Sequence, residues 1–459
     1  MFQEFNFAEN AKNSKDQAER FKRIHQQKKF IKFKIFIKRF LSSNRFLKFV
    51  GFFLLVGLLT FFLSIETHIE IAFYRKSWIS SLLPADPAPV SDTCFSASFV
   101  DEPFSPNNLS FPLSPLYNLS LGSLGLQPKV LSLSPGFNLP HHDDCYRFAA
   151  SLPSKPIRSM SSSLDFDSHV FFHLYWRSDL APLKQRQIVT LKSLLATQDF
   201  SLLPSTNSPR SQLIIWTNWS KRSLEDNLLL KPLLFKFKDR LSLRTLNIDS
   251  LTKNTPLDHH PILENIFDKR AWLDGDLVRV LVLWNLGGYW IDMDNLVLRD
   301  LAVLGEHEWV VMWDCYDKPY EPLNGHMMHF LKQSPYLCEM MHLMSIEPKP
   351  RPASTDWGQH LYYRLYRSLI SSNITPFKVL PFCLTDGRSC TLKDRVPDPF
   401  ASIDQEKNRW KLNSIKSKQL QNRLKGIFSI HLHNQWHKEF PKDGWIYRFY
   451  INQWEKQLQ

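Results

Sequence analysis

The stretch from Asp274 to Asp294, DGDLVRVLVLWNLGGYWIDMD, restricts the fold more than any other part of the chain. Leu277, Leu281 and Trp284 recur at helical spacing, which predicts a helix over Asp274–Leu286 with those side chains facing a core. Asp274 is the expected N-cap. Gly287-Gly288 then ends the helix and supplies the turn. Tyr289–Asp292 reads as a strand that runs out at Asp292-Met293-Asp294. The same periodicities put Asp276 and Arg279 on one further helix face.

In an extended segment, residues two apart project to the same side. Asp292 and Asp294 therefore aim two carboxylates at one point near a strand end. Two unpaired carboxylates repel, and a hard divalent cation that prefers oxygen ligands, Mn²⁺ or Mg²⁺, removes the conflict. Open α/β sheets bind ligands at the carboxyl ends of their strands. A nucleoside diphosphate is the natural third party, because its departure develops negative charge that the cation stabilises.

Elsewhere, Val170–Trp176 reads as a buried strand, Gln185–Leu195 as a helix and Gln212–Thr217 as a second strand. That βαβ order predicts a parallel sheet with covering helices. Trp309–Trp313 and Phe428–Leu432 are later strands.

The pattern D-x-x-R, apolar helix, GG-x-aromatic-x-D-x-D resembles the DXD sugar-binding glycosyltransferase family (family 32), which includes fungal Golgi α-1,6-mannosyltransferases and is similar to the α-1,4-glycosyltransferases. The resemblance covers roughly residues 168–440 and implies a GT-A-like nucleotide-sugar-binding sheet with flanking helices. By position, it implies that Asp276 and Arg279 contact the donor sugar, and that Gly287 and Gly288 are the family's glycine pair. Trp290 stands where tyrosine is usual, and Gly275 where serine is usual. Asp292 matches the acid that touches ribose and sugar, often reaching the metal through water, and Asp294 matches the direct metal ligand. His173-Leu-Tyr-Trp176 resembles the opening strand near the nucleotide, and Asn324 lies in a stretch similar to the one lining the acceptor side. His431-Leu-His433-Asn434-Gln435-Trp436 resembles the C-terminal segment that closes over the diphosphate. His433 replaces a tryptophan there, so either His431 or His433 is the metal-reaching histidine, with Trp436 as a lid contact or a core residue.

Before this region the chain changes character. Residues 1–48 carry +9 of the formal net charge of +13, and the uncharged run Phe49–Ile65 follows. As a helix that run is about 26 Å long, against a hydrocarbon core of roughly 30 Å, so a span needs the amphipathic Thr67–Tyr74 to extend it. The expected reading is a signal anchor with the basic end cytoplasmic and no nucleic-acid role for the tail. All six cysteines follow the run, which suits an oxidising lumen. Cys383 and Cys390 are candidates to close a loop around Thr385-Asp386-Gly387, with unpaired buried thiols as the alternative. The acceptor sequons Asn108, Asn118, Asn218 and Asn373 lie on the same side, and His141–Asp144 reads as a solvated polar loop. Twelve of the 29 prolines fall in residues 77–156 and predict a stem.

The expected organisation is thus a basic tail (1–48), a transmembrane anchor (49–70), a lumenal Pro/Ser-rich stem (71–165), a GT-A-like α/β catalytic domain (166–440) and a C-terminal extension (441–459). The expected activity is metal-dependent, retaining transfer of a hexose from UDP-hexose or GDP-mannose to a glycan or glycolipid, in a single-pass type II Golgi membrane protein. Two alternatives remain from sequence: a haloacid-dehalogenase-like phosphatase using Asp292 as nucleophile, although Leu296 departs from its pattern, and a catalytically dead lectin-like protein.

Overall fold

A computed structural model of the chain describes residues 29, 31–32, 34–35, 44–64, 79–80, 83–84, 87–95, 142–152, 170–198, 200, 211–305, 307–315, 322–352, 354–372, 374–390, 395–402 and 415–459. They divide into two compact units, 1–73 and 74–459.

In the first unit, helix α1 (Asn44–Ser64) covers the apolar run. Its side chains stand open, with Phe52 60%, Leu55 63% and Leu59 59% exposed. Among the described residues no helix is long and apolar enough to cross a membrane, so the expected anchor over 49–70 has no support there, and its residues 65–70 lie outside them. The uncharged part of α1, from Phe49 to Ser64, is only about 24 Å long, against roughly 30 Å of hydrocarbon. The Thr67–Tyr74 extension lies outside the described residues.

The second unit is built on a seven-stranded sheet. In chain order its elements are α2 (His142–Ser151), β1 (Val170–Tyr175), α3 (Gln185–Thr197), β2 (Ser211–Thr217), β3 (Leu241–Thr245), α4 (Leu273–Leu286) and β4 (Gly288–Ile291). Then follow β5 (Asn295–Val297), β6 (Trp309–Met312), β7 (Leu323–Phe330), α5 (Pro335–Ile346), α6 (Gln359–Ser371), β8 (Lys378–Leu380), α7 (Ile415–Gly426) and β9 (Ser429–His431). The sheet order is β8-β6-β7-β4-β1-β2-β3. Only β7 runs against its neighbours β4 and β6; the other pairs are parallel. Parallel strands need covering helices on both faces, and the strand interiors accordingly bury Leu174, Ile214, Ile291 and Val310 completely.

Helix α4 is the spine of the unit. Leu277, Val280, Leu281 and Leu283 are all fully buried, so it is apolar nearly all round rather than on one stripe. The Asp268 carboxylate organises its entry, accepting from the backbone N–H groups of Arg270 at 2.6 Å and Leu273 at 2.9 Å. Asp274 is therefore not the N-cap. It lies inside the first turn, fully buried, and accepts from Tyr175 Oη at 2.6 Å and Arg177 Nη1 at 3.0 Å. At the exit, Gly287 and Gly288 have φ of +68° and +100°. A Cβ on Gly288 would stand 2.2 Å from the Phe171 carbonyl oxygen, so only glycine lets the chain turn straight from α4 into β4 beside β1.

A second, two-stranded antiparallel ladder pairs β5 with β9 and sets His431 opposite Asn295. This register brings the C-terminal histidine segment to the end of the DxD turn, from sequence positions far apart.

Three disulfides close the unit: Cys94–Cys338, Cys145–Cys383 and Cys315–Cys390. The suggested Cys383–Cys390 loop is not formed, because each of those cysteines reaches a distant element. The first two bridges also fasten pieces of the proline-rich region to the core: Cys94, Phe95, Cys145 and Tyr146 are buried in it. His142 opens α2 rather than sitting in a polar loop. Beyond residue 440, Trp445, Ile446, Ile451 and Trp454 pack into the same core. Of the sequons, Asn218 directly follows β2 and is half-buried; Asn108, Asn118 and Asn373 lie outside the described residues.

Candidate active site

A cavity of about 470 Å³ opens at the carboxyl end of β4 and β1. Asp276 and Arg279 reach it from α4, Trp290, Asp292 and Asp294 from β4 and the turn after it, Asn324 from β7, and His431 and Trp436 from β9 and the segment beyond. Trp176, at the end of β1, completes the wall and meets Trp436 edge to face with ring centres 5.5 Å apart.

Arg279 joins the acids on one side of the cavity. Its Nη1 lies 3.3 Å from Asp276 Oδ1 and its Nη2 3.3 Å from Asp292 Oδ1, as the i, i+3 spacing on α4 predicts for the first pair. Nη1 also donates to Tyr362 Oη at 3.3 Å. The approach is close. A Cβ on Gly325 would fall 1.9 Å from Arg279 Nη1, and one on Gly358 would fall 2.7 Å from the Asp276 carboxylate. Burial, opposed by Arg279, pushes the Asp276 carboxyl up to about 7.

The two acids of the DxD turn have different surroundings. The Asp292 side chain is 28% exposed to the cavity and accepts from Trp290 Nε1 at 2.6 Å. Burial and the like charge of Asp294 push its carboxyl up, while Arg279 pulls the other way. The Asp294 side chain is 3% exposed. Burial would raise its carboxyl, but His431 at 3.4 Å and the Asn434 N–H at 2.7 Å hold it well below the usual carboxylate range.

His431 is gripped from behind. Its Nε2 faces Asp294, and its Nδ1 is 3.1 Å from Asp386 Oδ2. Burial alone would lower it, yet Asp294 and Asp386 together hold it up at about 10. His433 turns away from the cavity. Its Nε2 is 2.9 Å from Asp386 Oδ1 and 3.1 Å from Ser389 Oγ. Of the two candidate histidines, the structure thus points His431 at the DxD turn and leaves His433 as a second hydrogen-bond partner of Asp386.

His173 also departs from expectation. It is fully buried on β1, donates from Nε2 to the Gly287 carbonyl at 2.9 Å and accepts from Trp216 Nε1 at 3.1 Å. Burial lowers it to about 4, so it is neutral. It does not line the cavity. It pins the glycine turn, so it shapes the cavity through the backbone, as do Gly287 and Gly288.

Two residues behind the site carry no sequence signal for that role. Asp386 was visible only as the middle of a possible disulfide loop, and it is the buried carboxylate that orients His431. His326, beside Asn324 on β7, stacks on His431 with ring centres 4.2 Å apart and planes 6° apart. Neither had a motif signal, because both act through contacts made across the fold.

The residues fit a divalent cation. Asp294 Oδ2 and His431 Nε2 are 3.4 Å apart, about right for neighbouring ligands of one ion at roughly 2.1 Å. The Asp386 carboxylate on Nδ1 would fix the ring of His431 with Nε2 free for an ion, as carboxylates behind metal-bound imidazoles do. His326, Asp386 and His431 also offer ligand atoms within 4.8 Å of one another. The parallel rings of His326 and His431 send their lone pairs side by side rather than toward one point, so the Asp294–His431 edge is the better cradle.

Residues 201–311 match the family model of the glycosyltransferase sugar-binding region containing a DXD motif. The chain therefore carries a glycosyltransferase sugar-binding region. No curated protein matches the chain. Among solved structures, PaToxG glycosyltransferase is similar at 17% identity over 50% of this chain and 78% of its own, with a TM-score of 0.30. Mouse xyloside xylosyltransferase 1 is similar at 14% identity over 60% and 99%, TM-score 0.32. The glycosyltransferase GlyE of Streptococcus pneumoniae is similar at 12% identity over 64% and 62%, TM-score 0.33.

Proposed function

We propose that this chain, a glycosyltransferase by its sugar-binding region, moves a hexose from UDP-hexose or GDP-mannose to a glycan or glycolipid hydroxyl with retention, inside the Golgi lumen. One observation carries the reading: Asp276, Arg279, Asp292, Asp294 and His431 come from three separate segments and line the same cavity.

Asp294 and His431 are the residues to hold Mn²⁺ or Mg²⁺, with Asp292 on its open side. When bound, the ion supplies positive charge to the diphosphate as it leaves. Arg279, kept fully charged by Asp292 and Asp276, directs its guanidinium toward the donor's developing negative charge. Asn324 lines the cavity on the β7 side, where an acceptor sugar would enter. Trp176 and Trp436 form an apolar wall that keeps water from the donor. On this reading the acceptor oxygen attacks the anomeric carbon, the bond to the diphosphate breaks, and the acceptor's proton passes to a donor phosphate oxygen. Retention rests on the likeness of residues 274–294 to family 32. The lumenal location is supported by the three disulfides, which persist in oxidising compartments.

The test is a panel of UDP- and GDP-sugars offered to the purified chain with Mn²⁺. Hydrolysis of one donor, stopped by EDTA and by Asp294→Asn, is the expected result. Hydrolysis indifferent to both would refute the site.

A further inference from the structure

Arg186 lies on α3, one turn before Thr190 and on the same helix face. Thr190 Oγ1 donates to the Met293 carbonyl oxygen at 3.0 Å, so this face looks at the DxD turn from the side away from the cavity. Arg186 is 3% exposed, and none of its three guanidinium nitrogens has a hydrogen-bond partner among the described residues. Its immediate neighbours are aromatic. The guanidinium carbon is 5.5 Å from the ring centre of Phe400 and 5.1 Å from that of Phe440, two rings that stack on each other. Asp294 directly follows the Met293 carbonyl that Thr190 holds, and its negative charge acts on the Arg186 guanidinium.

A buried cation without hydrogen bonds is a cost to the fold, and an apolar side chain of similar length would pack there more cheaply. The charge is therefore the feature that needs a reason. His431 and the Asn434 N–H meet Asp294 at Oδ2, and no guanidinium nitrogen of Arg186 bonds to the carboxylate among the described residues, so Arg186 adds a field rather than a contact. A fixed positive charge behind a metal ligand repels an incoming divalent cation and attracts a diphosphate.

We propose that Arg186 is a positioning residue acting through Asp294, a buried charge that weakens capture of the free cation and makes cation binding depend on the negatively charged diphosphate. Cation and donor then enter together, and the site does not fill with metal while it waits. The inference rests on the metal-and-donor reading of the cavity.

The experiment measures Mn²⁺ binding by electron paramagnetic resonance on the full chain, with and without UDP or GDP. In the wild type, the better of the two nucleotides should tighten Mn²⁺ binding by ~100-fold or more, within the usual span of coupling between sites. Arg186→Met should tighten Mn²⁺ binding without nucleotide by ~10-fold or more while weakening the nucleotide alone, the direction that removal of a buried like charge implies. Arg186→Lys should behave as wild type. A purely structural arginine would move both affinities in the same direction, or neither. Equal Mn²⁺ affinity with and without nucleotide in the wild type overturns the proposal even if the variants do not fold. Asp294→Asn separates the two claims: if it leaves Mn²⁺ binding intact, the reading of the site fails. If it abolishes binding while Arg186→Met changes nothing, only the role of Arg186 fails.

Discussion

Asp292 and Asp294 are separated by a single residue, yet they belong to opposite corners of the cavity. Asp292 is the open acid, shared between Arg279 and Trp290 and raised by burial beside a like charge. Asp294 is the closed acid, locked by His431 and a backbone N–H and held strongly ionised. Behind it, Asp386 holds His431, and Cys383 and Cys390 on either side of Asp386 are bridged to α2 and to the end of β6. The contrast teaches that a pair of identical acids is not one functional unit. On the function proposed above, the closed corner would hold the ion and the open one would meet the donor.

The sharpest way to break this comparison is to remove each acid in turn. Asp294→Asn should abolish measurable Mn²⁺ binding and lower donor hydrolysis by about 10³-fold, a typical loss when a main electrostatic contact of the transition state is removed. Asp386→Asn leaves every cavity-lining residue in place and should still weaken Mn²⁺ binding by about 10–100-fold, the usual effect of losing the support of a metal-bound histidine. Calorimetric titration with Mn²⁺ reads both. Asp292→Asn should cost less than about 10-fold in Mn²⁺ affinity but raise the donor KM more than that, because Asp292 faces Arg279 and the open cavity. Equal losses for Asp292→Asn and Asp294→Asn would erase the distinction.

The smallest expected effect is in the pH dependence of stability, and it has opposite signs at the two corners. The Asp276 carboxyl is raised by burial to about 7, so its contribution is full below the ordinary carboxylate range and fades as the pH rises through about 7. Asp386 is lowered, because His433 and His431 outweigh its burial, so its contribution is full at neutral pH and is lost as the pH falls below about 4. Denaturant unfolding in EDTA should therefore find Asp276→Asn flattening the alkaline limb by about 1–3 kcal/mol and Asp386→Asn flattening the acid limb. Both variants changing the same limb would contradict the assignment of the two environments.

Much of the fold was legible because it depends on local periodicity. The strands at Val170, Gln212, Tyr289, Trp309 and Phe428 and the helices at Gln185 and Asp274 lie where the apolar spacing put them, within a residue or two. The Asp276–Arg279 pair followed from i, i+3 geometry and forms at 3.3 Å. Expectations that required knowing what lies across the fold did less well. Asp274 met Tyr175 and Arg177 instead of capping its helix. His173 turned inward to the Gly287 carbonyl, and Cys383 and Cys390 passed over each other for partners 238 and 75 residues away.

What the sequence determined alone is the α4–turn–β4 unit with its two acids, because helix period, the glycine pair and strand alternation are all set by neighbours along the chain. Which histidine faces the acids, which carboxylate steadies it and what charge stands behind them were settled only by tertiary structure. The reason is the register that pairs His431 with Asn295 and the packing of α3 under the turn. Side-chain contacts between distant segments depend on how sheets and helices stack, and no spacing within either segment records that.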